Sequence, residues 1–486
     1  MIALSLTEVA ALTGGRLHGA GPGPGAAVVT GPVVIDSRRA APGGLFAAIA
    51  GEHADGHDFA GAALANGAVA ILASRPLGDD VPAIVVPDVT TALARLAQAV
   101  ASRLTGEHGL TVAGITGSSG KTSTKDLTAQ VAERLGATIA PEGSLNNELG
   151  VPLTVLRAAA DTRFLILEMA ARGVGHIGAL CDIAPPRIGA VLNVGRAHAG
   201  EFGSVENIAK AKGELVEALP QASAGGVAIL NQDDPRVLAM ATRTDARVVT
   251  FSAAPMVRNI APTADVRAAE VILDDLGRAS FRLMMPGGMA PVRLLLHGAH
   301  HVPNALAAAA IAAELGMEVP AIADALSQAT ARSGKRMDVR ERADGVLVIN
   351  DAYNANPDSM RAGIEALAHI AASAPDGQRA RRAIAVVGHM AELGDTEAAS
   401  HAEVGRLAAR AGVAVVVAVG EAARPVLDGA RAQAGWDGAA IAAPDTASAV
   451  EILANQLRPG DVVLVKASKS AGLWEVADGL LAEVDR

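Results

Sequence analysis

The sequence predicts an α/β protein of three domains: a small mixed α/β N-terminal domain over residues 1–108, a central P-loop α/β domain with a mostly parallel sheet over 109–332, and a Rossmann-like α/β C-terminal domain over 333–486. Three observations predict it. A chain of 486 residues has room for about three domains of ordinary size. Short apolar runs alternate with helical patterns, which is how parallel sheets read in sequence. One stretch, Gly114-Ile115-Thr116-Gly117-Ser118-Ser119-Gly120-Lys121-Thr122-Ser123, joins a buried strand to a helix through a glycine-rich loop.

That stretch has the make-up of a phosphate cradle. Glycines let backbone N–H groups turn inward, and a helix N-terminus adds positive dipole. Gly117, Ser118, Ser119, Gly120 and Ser123 would surround the phosphates, Lys121 would reach the terminal ones, and the Thr122 hydroxyl would ligate Mg²⁺. The spacing departs from G-x-x-x-x-G-K-[ST]: Ile115 stands where the first glycine belongs, and Gly114 is one place too early. The bland alternative is a glycine turn followed by a chance Lys-Thr.

Composition excludes several classes. Half of the residues are hydrophobic and 19% are charged, which fits a folded protein and not a disordered one. A net charge of −10 argues against a nucleic-acid partner, which would want a basic face. The single cysteine, Cys181, leaves no disulfide framework and suits a reducing, cytoplasmic setting. Met1 to Glu8 lacks the basic and apolar regions of a signal peptide, and no apolar run is long enough to span a bilayer. Aromatic residues make up only 2%, so the cores must be Ala, Val, Leu and Ile.

In the N-terminal part, Leu6 to Leu12 reads as a helix, Val28 to Ile35 as strands, and Leu45 to Ile49 as a further strand. A strand at Ala68 to Leu72 and a helix from Val89 to Leu104 follow, with Thr105 to Gly109 as a linker. Asp36-Ser37-Arg38 closes an apolar run. A hydroxyl and a guanidinium there could bind a phosphorylated ligand, but Asp-Ser-Arg is also a plain turn with an exposed charge pair.

In the central part, Glu142 to Pro152 is a loop rich in amides, including Asn146 and Asn147. Phe164 to Leu167 is a strand ending at Glu168, either a second Mg²⁺ contact or an edge carboxylate facing solvent. Arg187 to Val194 is another strand, and His198 follows in a glycine-flanked loop, where ligands and structural histidines both occur. Ser204 would cap a helix from Val205 to Leu219. Lys212 falls on its apolar stripe and needs a partner there, whereas Lys210 points away. Gly298 to Asn304 leads into an alanine-rich helix.

In the C-terminal part, strands are expected at Val346 to Ile349, Ala383 to Val387, Val413 to Val419 and Val462 to Val465. Polar motifs follow three of them: Asn350 to Pro357, Gly388 to Gly394, and Lys466 to Lys469. Three such motifs on one carboxyl edge of a sheet suggest a ligand crevice.

These residues together resemble the Mur ligases, ATP-dependent amide-forming enzymes of peptidoglycan assembly, over nearly the whole chain. The resemblance rests on the P-loop Thr116 to Thr122, on Asp36-Ser37-Arg38 with Pro42 to Phe46 and Asp55 to Phe59, on Asn146 to Pro152, on Asp351 to Pro357, and on Glu392-Leu393-Gly394. It implies a central ATPase domain with ATP and Mg²⁺ as cofactors. It implies UDP-N-acetylmuramoyl-tripeptide and D-Ala-D-Ala as substrates, the first held in part by Ser37 and Arg38, with Asn146, Asn147, Asn354 and Asn356 also on the substrates. Asn304, Arg336 and Asp351 would approach the nucleotide. Thr122, Glu168, His198 and Lys212 would be metal ligands, Lys212 as a carbamate, and Lys121, Lys212 and His198 would carry the chemistry. A monomer is expected. Two positions depart from the family pattern: His301 stands where an Asn is common, and Ala170 where a Gly usually follows Glu-Met.

The rival class is a P-loop phosphotransferase or regulatory NTPase. No Asn-Lys-x-Asp guanine-reading tetrad supports a GTPase. A related ligase with a different amino-acid or peptide donor also stays open.

Overall fold

In the computed structural model of the chain, three large sheets of five, nine and six strands follow one another along the sequence, with a two-stranded pairing beside the first. It describes residues 1–19, 27–51, 53–195, 199–255, 263–373 and 380–482.

The N-terminal sheet has five strands in the order Arg16–His18, Ala83–Val85, Ala68–Ala73, Gly44–Ala47 and Val33–Val34, all parallel except the first pair. A separate two-stranded pairing joins Leu4–Ser5 to Val28–Val29. Helix Leu6–Thr13 starts with a capping box between Ser5 and Glu8 and ends at Gly14 in the left-handed region.

Helix Val89–His108 corrects the expected linker. The chain stays helical through Thr105, Gly106 and Glu107, and Gly109, at φ +71°, ends it. An interior glycine costs a helix about 1 kcal/mol relative to alanine. Burial of Leu93, Leu96, Val100 and Leu104 along one stripe outweighs that.

The central sheet has nine strands. Reading across it, Thr138–Ile139, Phe164–Glu168, Thr111–Thr116, Ile188–Val191, Val227–Asn231, Arg247–Ser252 and Val266–Leu273 run parallel. Arg278–Met285 and Gly288–His297 then add an antiparallel edge. Sequence reading assigned no element to that edge, although Gly288–His297 alternates exposed and buried residues with the period of two of a half-buried strand.

The strand at Ile188–Val191 is shorter than the expected Arg187 to Val194, which frees Leu192 to Gly195 as a loop at its carboxyl end. Helix Val205–Glu217 is capped by Ser204, as its sequence predicts. The alanine-rich helix His301–Glu314 is buried on nearly every side and packs against the helix Lys121–Ala132. Small side chains let those two backbones approach closely.

The C-terminal sheet has the order Asp338–Glu341, Leu347–Asn350, Val462–Lys466, Ala383–Val387, Val415–Val419 and Ala439–Ala443, with only its first pair antiparallel. Apolar clusters cover both faces of this sheet, so it is doubly wound. The carboxyl ends at Asn350, Val387 and Lys466 are neighbours, and their loops turn toward the central sheet.

Candidate active site

One cleft of about 730 Å³ lies between the carboxyl ends of the central and C-terminal sheets. On the central side it is lined by Ser118 to Ser123, Ser144, Asn146, Asn147 and Glu168. On the C-terminal side it is lined by Arg336, Asp351, Tyr353, Asn354, Asn356, Lys466 and Ser468. Sequence reading placed these groups at strand ends of two different domains, and the fold brings them to one space.

The P-loop is built as its sequence demands. Gly120, at φ +81°, is the N-cap of helix Lys121–Ala132, and a Cβ there would collide with Asn304 Oδ1. Asn193, at the end of strand Ile188–Val191, fastens the loop from the side. Its Oδ1 accepts from Ser119 N at 2.9 Å and its Nδ2 donates to Ser119 O at 3.1 Å. Sequence reading passed over Asn193, though a polar residue just past a buried parallel strand is a signal that could have found it.

Lys121 Nζ donates to Gly117 O at 2.7 Å. Its pKa is lowered, chiefly by burial. The Glu168 carboxylate opposes that shift and the Arg336 guanidinium adds to it.

Thr122 Oγ1 donates to Glu168 Oε2 at 2.8 Å and lies 3.1 Å from Ser144 Oγ. Asn146 Nδ2 donates to Glu168 Oε1 at 2.7 Å. Glu168 is buried at 2% exposure, so it is not a solvated edge carboxylate. Hydroxyl and carboxylate oxygens side by side at a P-loop form a hard donor set of the kind Mg²⁺ prefers.

Lys212 lies on the buried face of its helix at 4% exposure, and Lys210 is exposed on the other face. Among the described residues Lys212 has no carboxylate partner, and Glu168 is engaged by Thr122 and Asn146. Burial holds the Lys212 pKa well below its ordinary value, and the nearby Lys121 charge pushes it further down. His198 falls outside the described residues.

Across the cleft, Arg336 stacks over the Tyr353 ring, 4.2 Å from its centre, and Nη2 donates to Ser144 Oγ at 2.9 Å. The residues flanking it, Lys335 and Met337, hold positive φ of 61° and 50°. That left-handed backbone costs about 1–2 kcal/mol for each non-glycine residue. Asp351 secures the same segment: Oδ1 accepts from Met337 N at 3.2 Å, and Oδ2 from Lys466 Nζ at 2.6 Å. Lys335 lies over the Trp474 ring at 3.8 Å.

His300 and His301 line the floor, with ring centres 4.3 Å apart. Burial pushes His300 down to about 4 and His301 well below its usual value, so both are neutral imidazoles near pH 7.

Four expected substrate amides reach the cleft, and two of them also have capping duties. Asn147 Oδ1 accepts from Gly150 N at 2.9 Å, and Asn356 caps helix Pro357–Ala372 by accepting from Ser359 N at 2.9 Å. Ser37 and Arg38 do not line the cleft. Ser37 is buried. Arg38 is exposed and pairs with Asp36 at 2.7 Å. Arg39 joins this region to the amide-rich loop through Glu142, at 3.1 Å. Among the described residues no helix is long and apolar enough to cross a membrane.

Three family models match the chain in succession: the Mur ligase family catalytic domain over residues 32–101, the Mur ligase middle domain over 115–312, and the Mur ligase glutamate ligase domain over 335–469. The chain belongs to the Mur ligase family.

Among the relatives of this Mur ligase is the UDP-N-acetylmuramoyl-tripeptide–D-alanyl-D-alanine ligase of Mycobacterium tuberculosis, 49% identical over 99% of this chain and 98% of that protein. A crystal structure of MurF from Acinetobacter baumannii matches with a TM-score of 0.84 and 31% identity, covering 99% of both chains. The MurF ligase of Thermotoga maritima, solved in complex with ADP, matches with a TM-score of 0.78 and 28% identity over 94% of this chain and 98% of that one. This Mur ligase therefore shares the three-domain architecture end to end and forms a C–N bond at the expense of ATP.

Proposed function

We propose that the chain joins D-Ala-D-Ala to the tripeptide carboxylate of UDP-N-acetylmuramoyl-tripeptide, using ATP, in cytoplasmic peptidoglycan precursor synthesis. The observation that carries this reading is the shared cleft. A P-loop lysine, a buried Thr122–Glu168 pair and the strand-end motifs of the C-terminal sheet all open onto it. Near-full-length identity to ligases of that name supports the substrate assignment. We assign residues 1–108 to the UDP-linked substrate, 109–332 to ATP and 333–486 to the amine substrate.

The chemistry sets the demands. A carboxylate does not condense with an amine at neutral pH, because its oxygen is a poor leaving group. A carboxylate oxygen first attacks the terminal phosphorus of ATP, ADP leaves, and an acyl phosphate forms. The amine then attacks the acyl carbon, phosphate leaves with the bonding electron pair, and a proton is released from nitrogen. The first step brings anions together, so cationic screening is the main requirement.

Lys121 sits where it would turn from Gly117 O to the terminal phosphate, and Arg336 faces it from the other wall. Asn304, beside Gly120, and Asp351, which holds the Arg336 segment, would approach the nucleotide. Thr122 and Glu168 would hold Mg²⁺, with a carbamate on Lys212 and His198 as the expected partners for a second ion. The bound ions would neutralise phosphate charge. Closure of the two walls on the substrates would exclude water, which would otherwise hydrolyse the acyl phosphate.

The direct test incubates the protein with ATP, Mg²⁺, UDP-N-acetylmuramoyl-tripeptide and D-Ala-D-Ala and looks for the pentapeptide product by mass. Phosphate release should require the carboxylate and amine substrates together. Release with either one missing would favour a regulatory NTPase instead.

Ser37 and Arg38 lie away from the cleft, so we assign them to the UDP end of the substrate. Replacing each by alanine should raise the KM for the UDP-linked peptide about tenfold, the loss of one or two hydrogen bonds to a charged group, and leave the KM for ATP within twofold. An equal rise in both KM values would count against this assignment.

A further inference from the structure

The helix that starts at Lys121 carries two adjacent charged residues buried behind the cleft. Lys125 is 2% and Asp126 is 7% exposed, their side chains form an ion pair, and neither lines the cleft. A buried ion pair is a costly way to fill space, and apolar residues of similar volume often serve stability as well or better. What the pair holds is therefore informative.

Lys125 Nζ donates to Pro141 O at 3.0 Å. Pro141 opens the segment that carries Ser144, Asn146 and Asn147 into the cleft. Asp126 Oδ2 accepts from Ser333 N at 3.1 Å. Ser333 lies on the linker, from about residue 330 to 337, that carries Arg336 into the cleft from the other wall. The two segments meet again at the far side, where Arg336 Nη2 donates to Ser144 Oγ. Hydrogen bonds and chain thus close a circuit from Lys125 through Ser144 and Arg336 back to Asp126.

The same helix holds the rest of the linker. Gln130 and Thr330 exchange two hydrogen bonds, of 2.9 and 3.0 Å, and Glu133 binds Arg332 through both oxygens. On its other side the linker belongs to the C-terminal sheet, through Tyr353 N to Lys335 O at 3.0 Å and Met337 N to Asp351 Oδ1. The positive-φ residues Lys335 and Met337 are the ones this second anchorage holds.

We propose that the Lys125–Asp126 ion pair is a positioning pair for the ligation site: it sets the Ser144 segment and the Arg336 linker in one register against the P-loop helix. Neither residue touches the reacting groups. Both act through Ser144 and Arg336. The kinetic part of this inference rests on the ligase reading, and the structural part does not.

The test compares Lys125→Met, Asp126→Leu and the double variant in the full-length protein. The single variants leave one buried charge unpaired and are expected to lose stability. The double variant removes both charges at similar volume and is expected to melt cooperatively within a few degrees of the parent.

In the double variant, backbone amides in residues 141–147 and in 333–337 should both exchange with deuterium at least tenfold faster. Its kcat should fall at least tenfold, while the KM for the UDP-linked peptide stays within twofold. Faster exchange in one segment alone would overturn the coupling. Unchanged exchange, or an unchanged kcat with both segments loosened, would overturn the positioning role. A parent protein that makes no product would refute the ligase reading separately, and the exchange comparison would still decide the structural claim. Should the double variant not fold, Lys125→Leu with Asp126→Ala, which also removes both charges and the acceptor for Ser333 N–H, is read by the same exchange and kinetic criteria.

Discussion

Lys121→Ala is expected to reduce ligation by at least about 10³-fold while the protein stays folded. Removing one preorganised donor aimed at developing charge commonly costs about 10²–10³ in turnover, and a full ammonium facing phosphate sits at or above the upper end of that range. The fold should not suffer. Among the described residues Lys121 Nζ has one hydrogen bond, to Gly117 O on its own loop, and its pKa is lowered because burial disfavours its charge. Losing that ammonium relieves a desolvation cost. The melting temperature of the variant should therefore match or exceed the parent's. Steady-state turnover and thermal melting measured side by side check both halves. Near-normal turnover would mean that the phosphates are bound elsewhere.

Lys212→Ala should be inactive, with part of the activity returning when a short carboxylate is added. The side chain is buried on the inner face of helix Val205–Glu217, and among the described residues no carboxylate neutralises it. Burial and the Lys121 charge both favour the neutral amine, so a fraction is free to add to CO₂ near neutral pH. The nitrogen lone pair bonds to the carbon, one proton is lost, and a carbamate anion remains. Two oxygens of that anion suit Mg²⁺.

Alanine leaves a gap about the size of the lost chain, into which formate or acetate fits. The expected kcat loss is about 10²-fold or more, as for a group that stabilises transition-state charge, and tens of millimolar acetate should restore a measurable part of it. The competing account is an ammonium paired with Glu168 or Glu201, and it predicts no rescue. Glu168 is already held by Thr122 and Asn146, which weighs against that half of the account. A fully active variant would sink both.

Much of the architecture was legible because it follows local rules. Strand Phe164–Glu168 and helix Val205–Glu217 lie within a residue or two of where apolar runs and the Ser204 cap put them. The helix end at His108 was not legible. Gly106 reads as a breaker, and only the tertiary burial of Leu104 and its neighbours carries the helix past it. The antiparallel edge Arg278–Met285 and Gly288–His297 was missed because its alternation lies between two polar turns that draw no attention.

In the cleft, the P-loop and Glu168 were readable from a strand followed by polar residues. The fastening of the loop by Asn193, and the closure of the far wall by Lys466 on Asp351, depend on which strands are neighbours. Periodicity does not encode that. The Lys125–Asp126 pair was equally hidden, since two charges next to each other on a helix normally face water.

The placement of Trp474 under the Lys335 ammonium has an optical consequence. The chain has two tryptophans, Trp436 and Trp474, and both belong to the C-terminal part. Trp436 is tied down by Nε1 donating to Val413 O at 2.7 Å, so its surroundings change little when the parts of the molecule move. Trp474 instead has a cation from the linker on its face. The field of that cation acts on the excited indole, so the emission of Trp474 tracks the distance to Lys335. Native fluorescence, with Trp436→Phe to remove the constant signal, thus reads whether the Lys335 ammonium stays on that ring in the unlabelled protein.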